Sequence, residues 1–215
     1  MGNGGVPLSA LILFLASNHS VEKILFLIFW LFHSFERVWE TFYTSKERKA
    51  FDFHGDWTLG AVTMAYLFLC FLCIFEFFLV PRSFNYGVAI LGMALYLGAF
   101  RLRWWGMKSL GKQWAIHAVG AQKIKKVRLI RVGAFKYMRH PIYLGIILEL
   151  LSLPLIANAY FVLFIACFIN IPLQLIRLLE EEKSSVRRLG ESYREYKREV
   201  DMLIPFKYFN SKLNP

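Results

Sequence analysis

"IYLGIILELLSLPLIANAYFVLFIACFINIPLQLI", Ile142–Ile176, decides how this chain folds. Its 35 residues hold a single charge, Glu149. As one helix it would run about 52 Å, far beyond the roughly 30 Å of a bilayer's hydrocarbon core. Its centre, "LPLIANAY", carries the turn residues Pro154 and Asn158. The stretch therefore predicts a helical hairpin with arms over 142–153 and 159–179 and a tight turn made by Pro154 and Asn158.

Further apolar runs lie upstream. Ile24–Tyr43, Thr58–Val80 and Tyr86–Trp105 each approach the roughly 20 residues that span a membrane as a helix. Val6–Ala16 is shorter and reads as a re-entrant or interfacial segment. The chain is 57% hydrophobic with 21 Phe among 215 residues, more than a soluble core of this size uses. The expected fold is an all-α integral membrane protein with about five transmembrane helices, the last two being the hairpin, and a pocket facing the cytosol. Residues 1–105 are expected to supply the N-terminal membrane helices. Residues 106–215 are expected to form the catalytic region, made of a basic segment, the hairpin and a cytosolic tail.

The net charge of +11 raises the question of nucleic acid, and its distribution answers it. Of 26 Lys and Arg, eleven lie in 101–141, a segment without Asp or Glu, nine follow Ile176, and Lys46, Arg48 and Lys49 follow the first good span. On the predicted topology these 23 share one side, leaving Lys23 and Arg82 for the other. That is the positive-inside pattern. The charge reports orientation in a plasma, inner or endoplasmic-reticulum membrane, with the basic face in the cytosol, and nucleic acid is not an expected partner.

Polar residues inside spans are costly and are candidates for function. His33, Glu36, Arg37 and Glu40 share a helical face, where they either pair internally or face a substrate. Glu76 lies near a span end, as an interfacial residue. Glu149 either pairs with another polar group or faces a cavity. Asn170, Gln174, Arg177 and Glu181 form one stripe along the last span, and Asn170 and Gln174 lie too deep for a solvated helix end, so the stripe is expected to line a cavity. The five His are scattered and the three Cys (Cys70, Cys73, Cys167) lie in apolar runs, so no metal is expected.

"RHPIYLG", 139–145, begins the hairpin. His140 occupies the N-cap place and Pro141 the first helical position, where a missing N–H costs nothing. The open amides and dipole make a seat for a carboxylate or phosphate, with Arg139 adding charge. Tyr143 offers a ring and a hydroxyl, and Gly145 permits close approach of a ligand or helix. Carboxylates ending the other arm can hold ribose hydroxyls or an ammonium group.

These residues resemble the isoprenylcysteine carboxyl methyltransferase family and the related phospholipid methyltransferases. The likeness spans about Leu129 to Phe206: "VGAFKYMRHPIYLG", "RLLEEE" and "LGESYREYKREVDMLIPF". It implies S-adenosyl-L-methionine as cofactor. Strand-like Val127, Arg128, Leu129 and Ile130 would lie against the adenine through their backbone, and Phe135 stands where the family usually has Tyr. Arg139, His140, Pro141, Ile142 and Tyr143 would contact the cofactor's amino-acid part and ribose. Glu181 would bind cofactor, and Arg177 would face the methyl acceptor, a lipophilic molecule entering from the bilayer.

A sulfonium methyl is already activated, so transfer needs alignment and exclusion of water more than covalent catalysis. A carboxylate acceptor needs no general base, and Arg177 can position it bidentately. Arg177 and Tyr143 are the expected catalytic contacts. The expected function is methylation of a lipophilic acceptor, foremost O-methylation of an isoprenylcysteine-type carboxylate. The alternatives are a sterol-reductase-like enzyme using NADPH, which carries Asp-Glu where this chain has Glu181-Glu182, and a non-catalytic membrane scaffold.

Overall fold

A computed structural model describes residues 20–42, 57–111 and 128–213. The segment Val6–Ala16 and Val127 lie outside them. The described residues contain no strand, only an isolated parallel bridge between Met138 and Asp201, so the all-helical expectation holds. The chain divides into two compact units between Tyr43 and Thr44.

The first unit holds α1 (Ser20–Phe42). Its polar residues pair within the helix: His33 Nδ1 lies 3.7 Å from Glu36 and Arg37 Nη1 lies 2.9 Å from Glu40. The second unit holds α2 (Trp57–Leu79), α3 (Tyr86–Leu110), α4 (Pro141–Ile156), α5 (Tyr160–Leu189), α6 (Glu191–Glu199) and α7 (Phe206–Leu213). Of the described helices, α2, α3 and α5 are long and apolar enough to cross a membrane. Helix α4, at 16 residues, reaches only about 24 Å. Helix α5 includes a π-helical turn over Ala166–Asn170.

The hairpin exists, but Pro154 does not make its turn. Pro154 sits inside α4, fully buried. The reversal belongs to Asn158, at φ 53°, the left-handed conformation that Asn tolerates better than most residues. The Asn158 amide donates to Leu155 O (3.1 Å) and the Ala159 amide to Pro154 O (2.7 Å), so the last carbonyls of α4 are satisfied by the turn itself. The Asn158 side chain accepts from Asn85 N (2.7 Å) and donates back to Asn85 O (3.3 Å), at the start of α3.

Glu76, near the end of α2, is enclosed by protein. It is buried and accepts from the amides of Phe161 (3.2 Å) and Val162 (2.9 Å) at the start of α5, while Arg82 Nη2 donates to it at 2.6 Å. The first amides of a helix have no acceptor of their own, and a carboxylate there also meets the positive end of the dipole. Arg82, counted from sequence as a charge on the opposite face, closes this network by donating to Asn158 O.

Helices α3 and α4 make the closest pairing. A Cβ on Gly145 would lie 3.0 Å from Ala99 O and collide with the stem of Arg103, so the approach that Gly145 permits is that of α3. Arg103, grouped from sequence with the cytosolic basic segment, is buried and ion-paired with fully buried Glu149, which also accepts from Tyr66 of α2 at 2.6 Å. Of the two roles open to Glu149, pairing is observed.

At the other end, Gly190 at φ 60°, favourable only for glycine, swings the chain from α5 into α6. The tail then returns beneath α4: Arg139 N donates to Asp201 O (2.8 Å) and His140 N to Met202 O (3.0 Å). Tyr196 of α6 donates to Phe135 O at 2.6 Å.

Candidate functional site

Three pieces of chain converge where α4 begins: residues 128–140, the C-terminal half of α5, and α6 with the strap after it. Adjacent carboxylates on a helix point about 100° apart, and on α5 this separates two tasks. Glu181 meets the Tyr143 hydroxyl at 2.6 Å. Glu182 turns inward and is buried, receiving Arg139 Nε at 2.7 Å, Lys197 Nζ at 2.7 Å and His140 Nε2 at 3.2 Å. Glu180 pairs with Lys183 at 2.7 Å on the surface.

Sequence reasoning gave Glu182 no partner within the chain and did not single out Lys197. Glu182 ties both ends of the likeness together, binding "RHP" on one side and the tail on the other. The signal was available in the paired acids of "RLLEEE", but which acid turns inward depends on helix phase. Tyr193 and Tyr196, also from the tail pattern, are buried. Burial raises both phenols above their ordinary pKa. For Tyr193 the charge of Glu182 adds to this and that of Arg139 opposes it; for Tyr196 Arg139 and then Arg131 oppose it.

Arg139 is committed to the scaffold: besides Glu182 it donates to the carbonyls of Lys197 (3.3 Å) and Val200. His140 is buried and meets the Tyr143 ring edge-on, with centroids 5.6 Å apart. It stands at the N-cap without a side-chain cap hydrogen bond, and Pro141 follows at the first helical position, as predicted. Pro141 is buried, and Ile142 packs where a side chain on Gly106 of α3 would lie. Phe135 is half-buried, its carbonyl taken by Tyr196. Arg128, Leu129 and Ile130 have no regular secondary structure, so the strand-like reading does not apply to them, and Val127 is not among the described residues.

Arg177 lies one turn before Glu181. It is buried and donates to Thr58 Oγ1, at the start of α2, at 2.9 Å. Asn170 and Gln174, further along the same stripe, are also buried. The site thus combines the N-terminus of a helix, a hydroxyl–carboxylate pair and an arginine at one end of a set of apolar helices. Among the described residues no group of three or more His, Cys, Asp or Glu could hold a metal ion.

Such a fold defines a membrane protein that carries buried polar side chains among its apolar helices. The model of the isoprenylcysteine carboxyl methyltransferase (ICMT) family matches residues 90–187. The chain is 31% identical over 142 residues to the uncharacterized protein YpbQ of Bacillus subtilis, covering 65% of this chain and 80% of that one. It is 29% identical over 149 residues to protein-S-isoprenylcysteine O-methyltransferase of Saccharomyces cerevisiae, covering 66% and 62%. With methanethiol S-methyltransferase of Crocosphaera subtropica it shares 39% over 72 residues, covering 34% and 27%. The chain thus spans about a quarter of that enzyme and under two thirds of the yeast one. The chain belongs to the ICMT family, a family of methyltransferases, as the resemblance predicted.

Proposed function

We propose that this chain is a multi-pass membrane methyltransferase that uses S-adenosyl-L-methionine to methylate a lipophilic carboxylate, with residues 106–215 as its catalytic region facing the cytosol. The observation that carries the reading is the Tyr143–Glu181 contact at 2.6 Å, with Arg177 one helical turn away. The residues present fit the cofactor. The uncapped first turn of α4 suits its carboxylate, and Glu181 with Tyr143 suits its ammonium group or ribose hydroxyls. Residues 128–130 and Phe135 are the candidate adenine contacts. The cofactor supplies a methyl group on a positively charged sulfur, which departs as a neutral thioether when the acceptor oxygen bonds to carbon.

The remaining work belongs to the chain. Arg177 orients the acceptor carboxylate by charge-assisted hydrogen bonds. Apolar faces of the helices exclude water, and the acceptor's tail stays in lipid. Glu182 holds "RHP" and the tail together, so that Tyr143 and Glu181 keep their spacing. An isoprenylcysteine-type carboxylate suits a buried arginine. The likeness to methanethiol S-methyltransferase favours a second reading, in which a small thiol accepts the methyl group.

Purified protein incubated with methyl-labelled cofactor and a panel of lipid acids and thiols decides between these. Label that base releases as a volatile alcohol marks an ester and supports the carboxylate reading. Base-stable label on a thiol product replaces it with the second, and absence of transfer to any member of the panel overturns both.

A further inference from the structure

The tail ends in a helix that leaves large apolar side chains in the open. Ile204, just before α7, and Phe206 and Phe209 within it are 50%, 62% and 54% exposed. Phe206 and Phe209 stand three residues apart and share a face of the helix. Tyr208 turns the other way, edge-on to Tyr137 with ring centroids 4.7 Å apart, and Tyr137 in turn meets Trp105 at 5.7 Å. Trp105 and its exposed neighbour Trp104 lie near the end of α3, a helix long and apolar enough to cross a membrane. Tryptophan and tyrosine gather where such a helix leaves the hydrocarbon, and α7 joins that cluster of rings. A helix of eight residues forms poorly in water by itself.

The charge beside these rings is cationic. Lys136, next to Tyr137, is exposed, as is Lys108 in the last turn of α3, and Lys207 of α7 is half-exposed. A hollow of about 280 Å³ opens between residues 136–137 and α7, with Lys136 and Lys207 in its lining. The two carboxylates that also line it are engaged, Glu199 by Arg131 at 3.0 Å and Asp201 by the Lys207 amide at 2.6 Å. An exposed apolar patch bordered by charge marks a surface that meets a partner. Exposed aromatics beside lysines on a short helix fit the surface of an anionic bilayer. We propose that α7 docks on anionic phospholipid, with Ile204, Phe206 and Phe209 among the upper acyl chains and Lys136 and Lys207 against the phosphates. The docked helix is tied to the candidate site, because the carbonyls of Asp201 and Met202 accept from the amides of Arg139 and His140. Lipid that holds α7 therefore also holds the strap against the start of α4, whichever acceptor is methylated.

The test places the full chain in nanodiscs of phosphatidylcholine, alone or mixed with phosphatidylglycerol. Hydrogen exchange read by mass spectrometry follows the backbone amides of residues 204–209. Each lysine held at an anionic surface strengthens attachment about fivefold, so the two together should slow exchange about twentyfold in the mixed discs relative to phosphatidylcholine alone. Lys136→Gln, a change at an exposed position, should bring that ratio down to about fivefold. High salt should bring it close to unity, because it screens exposed charges. Phe209→Ser should speed exchange in both lipids, while the amides of α3 and α4 keep their wild-type rates. Equal exchange of wild type in the two lipids overturns the proposal, as does a Lys136→Gln variant that keeps the full ratio or a Phe209→Ser variant that exchanges like wild type. Protection that arises in lipid-free detergent as protein concentration rises overturns it too, and assigns the face to a second copy of this chain.

Discussion

Arg103 of α3 and Glu149 of α4 form an ion pair that is almost wholly removed from solvent, at 1% and 0% side-chain exposure. Tyr66 of α2 donates to the same carboxylate, so one polar knot joins three helices in apolar surroundings. Removing one member of such a pair leaves a buried charge alone, which costs about 3–5 kcal/mol. Glu149→Ala and Arg103→Ala should each lower the melting temperature sharply. The double variant Arg103→Met with Glu149→Leu should recover most of the loss. A double variant no better than the singles would show that the helices require the charges themselves.

Tyr143→Phe removes only the hydroxyl that meets Glu181 and keeps the ring against His140. A hydrogen bond to a charged group contributes roughly 1.5–3 kcal/mol. If this pair holds the cofactor, affinity for S-adenosyl-L-methionine measured by calorimetry should fall about tenfold or more, with the melting temperature nearly unchanged. Unaltered affinity together with a lower melting temperature would make the contact structural.

The cations around Glu182 differ in exposure, and their substitutions should differ accordingly. The Lys197 side chain is 38% exposed and that of Arg139 only 8%. Lys197→Met should cost at most about 1 kcal/mol, as for other exposed pairs. Glu182→Gln leaves the Arg139 and Lys197 cations without their shared carboxylate and should free the strap at residues 200–205 to proteolysis. Limited digestion followed by mass spectrometry reads the order, and equal cutting of the two variants would contradict it.

Tyr193 gives a pH dependence. Burial raises its pKa in the folded protein, while the unfolded phenol titrates near about 10. Its contribution is complete below pH 10 and is lost as the pH rises beyond it, because only the unfolded chain then gives up the proton. Tyr193→Phe should match wild type near neutrality and lose stability less steeply above about pH 10, as followed by melting across that range.

The turn of the hairpin separates backbone from side chain. Asn158→Gly keeps the left-handed conformation and loses the bonds to Asn85, whereas Asn158→Ala loses both. The alanine variant should be the less stable by about 1 kcal/mol, measured by denaturant unfolding in detergent.

Much of this was legible in advance where the signal was local. Apolar runs marked α1 to α5 to within a few residues at most ends, and the N-cap place of His140 with Pro141 behind it marked the start of α4. Signals that depended on a partner were misread. Pro154 looked like the breaker because proline usually is, yet Asn158 supplied the backbone conformation that turns the chain. Glu76 could be placed from sequence only by its nearness to a helix end, and only the arrival of α5 gives it amides to accept from. Arg103 looked cytosolic because its neighbours in sequence are basic, and its partner Glu149 lies 46 positions away.

By itself the sequence determined that the chain is helical, that it belongs with membrane proteins, and which short segments carry polar chemistry. Those properties follow from hydropathy, period and local backbone preference, each written within a dozen residues. Only the tertiary structure decided that Glu182 anchors the tail while Glu181 meets Tyr143, and that Arg103 is buried against Glu149. These assignments rest on helix phase and on which surfaces meet, because a charge in an apolar interior persists only where a partner from elsewhere in the chain reaches it.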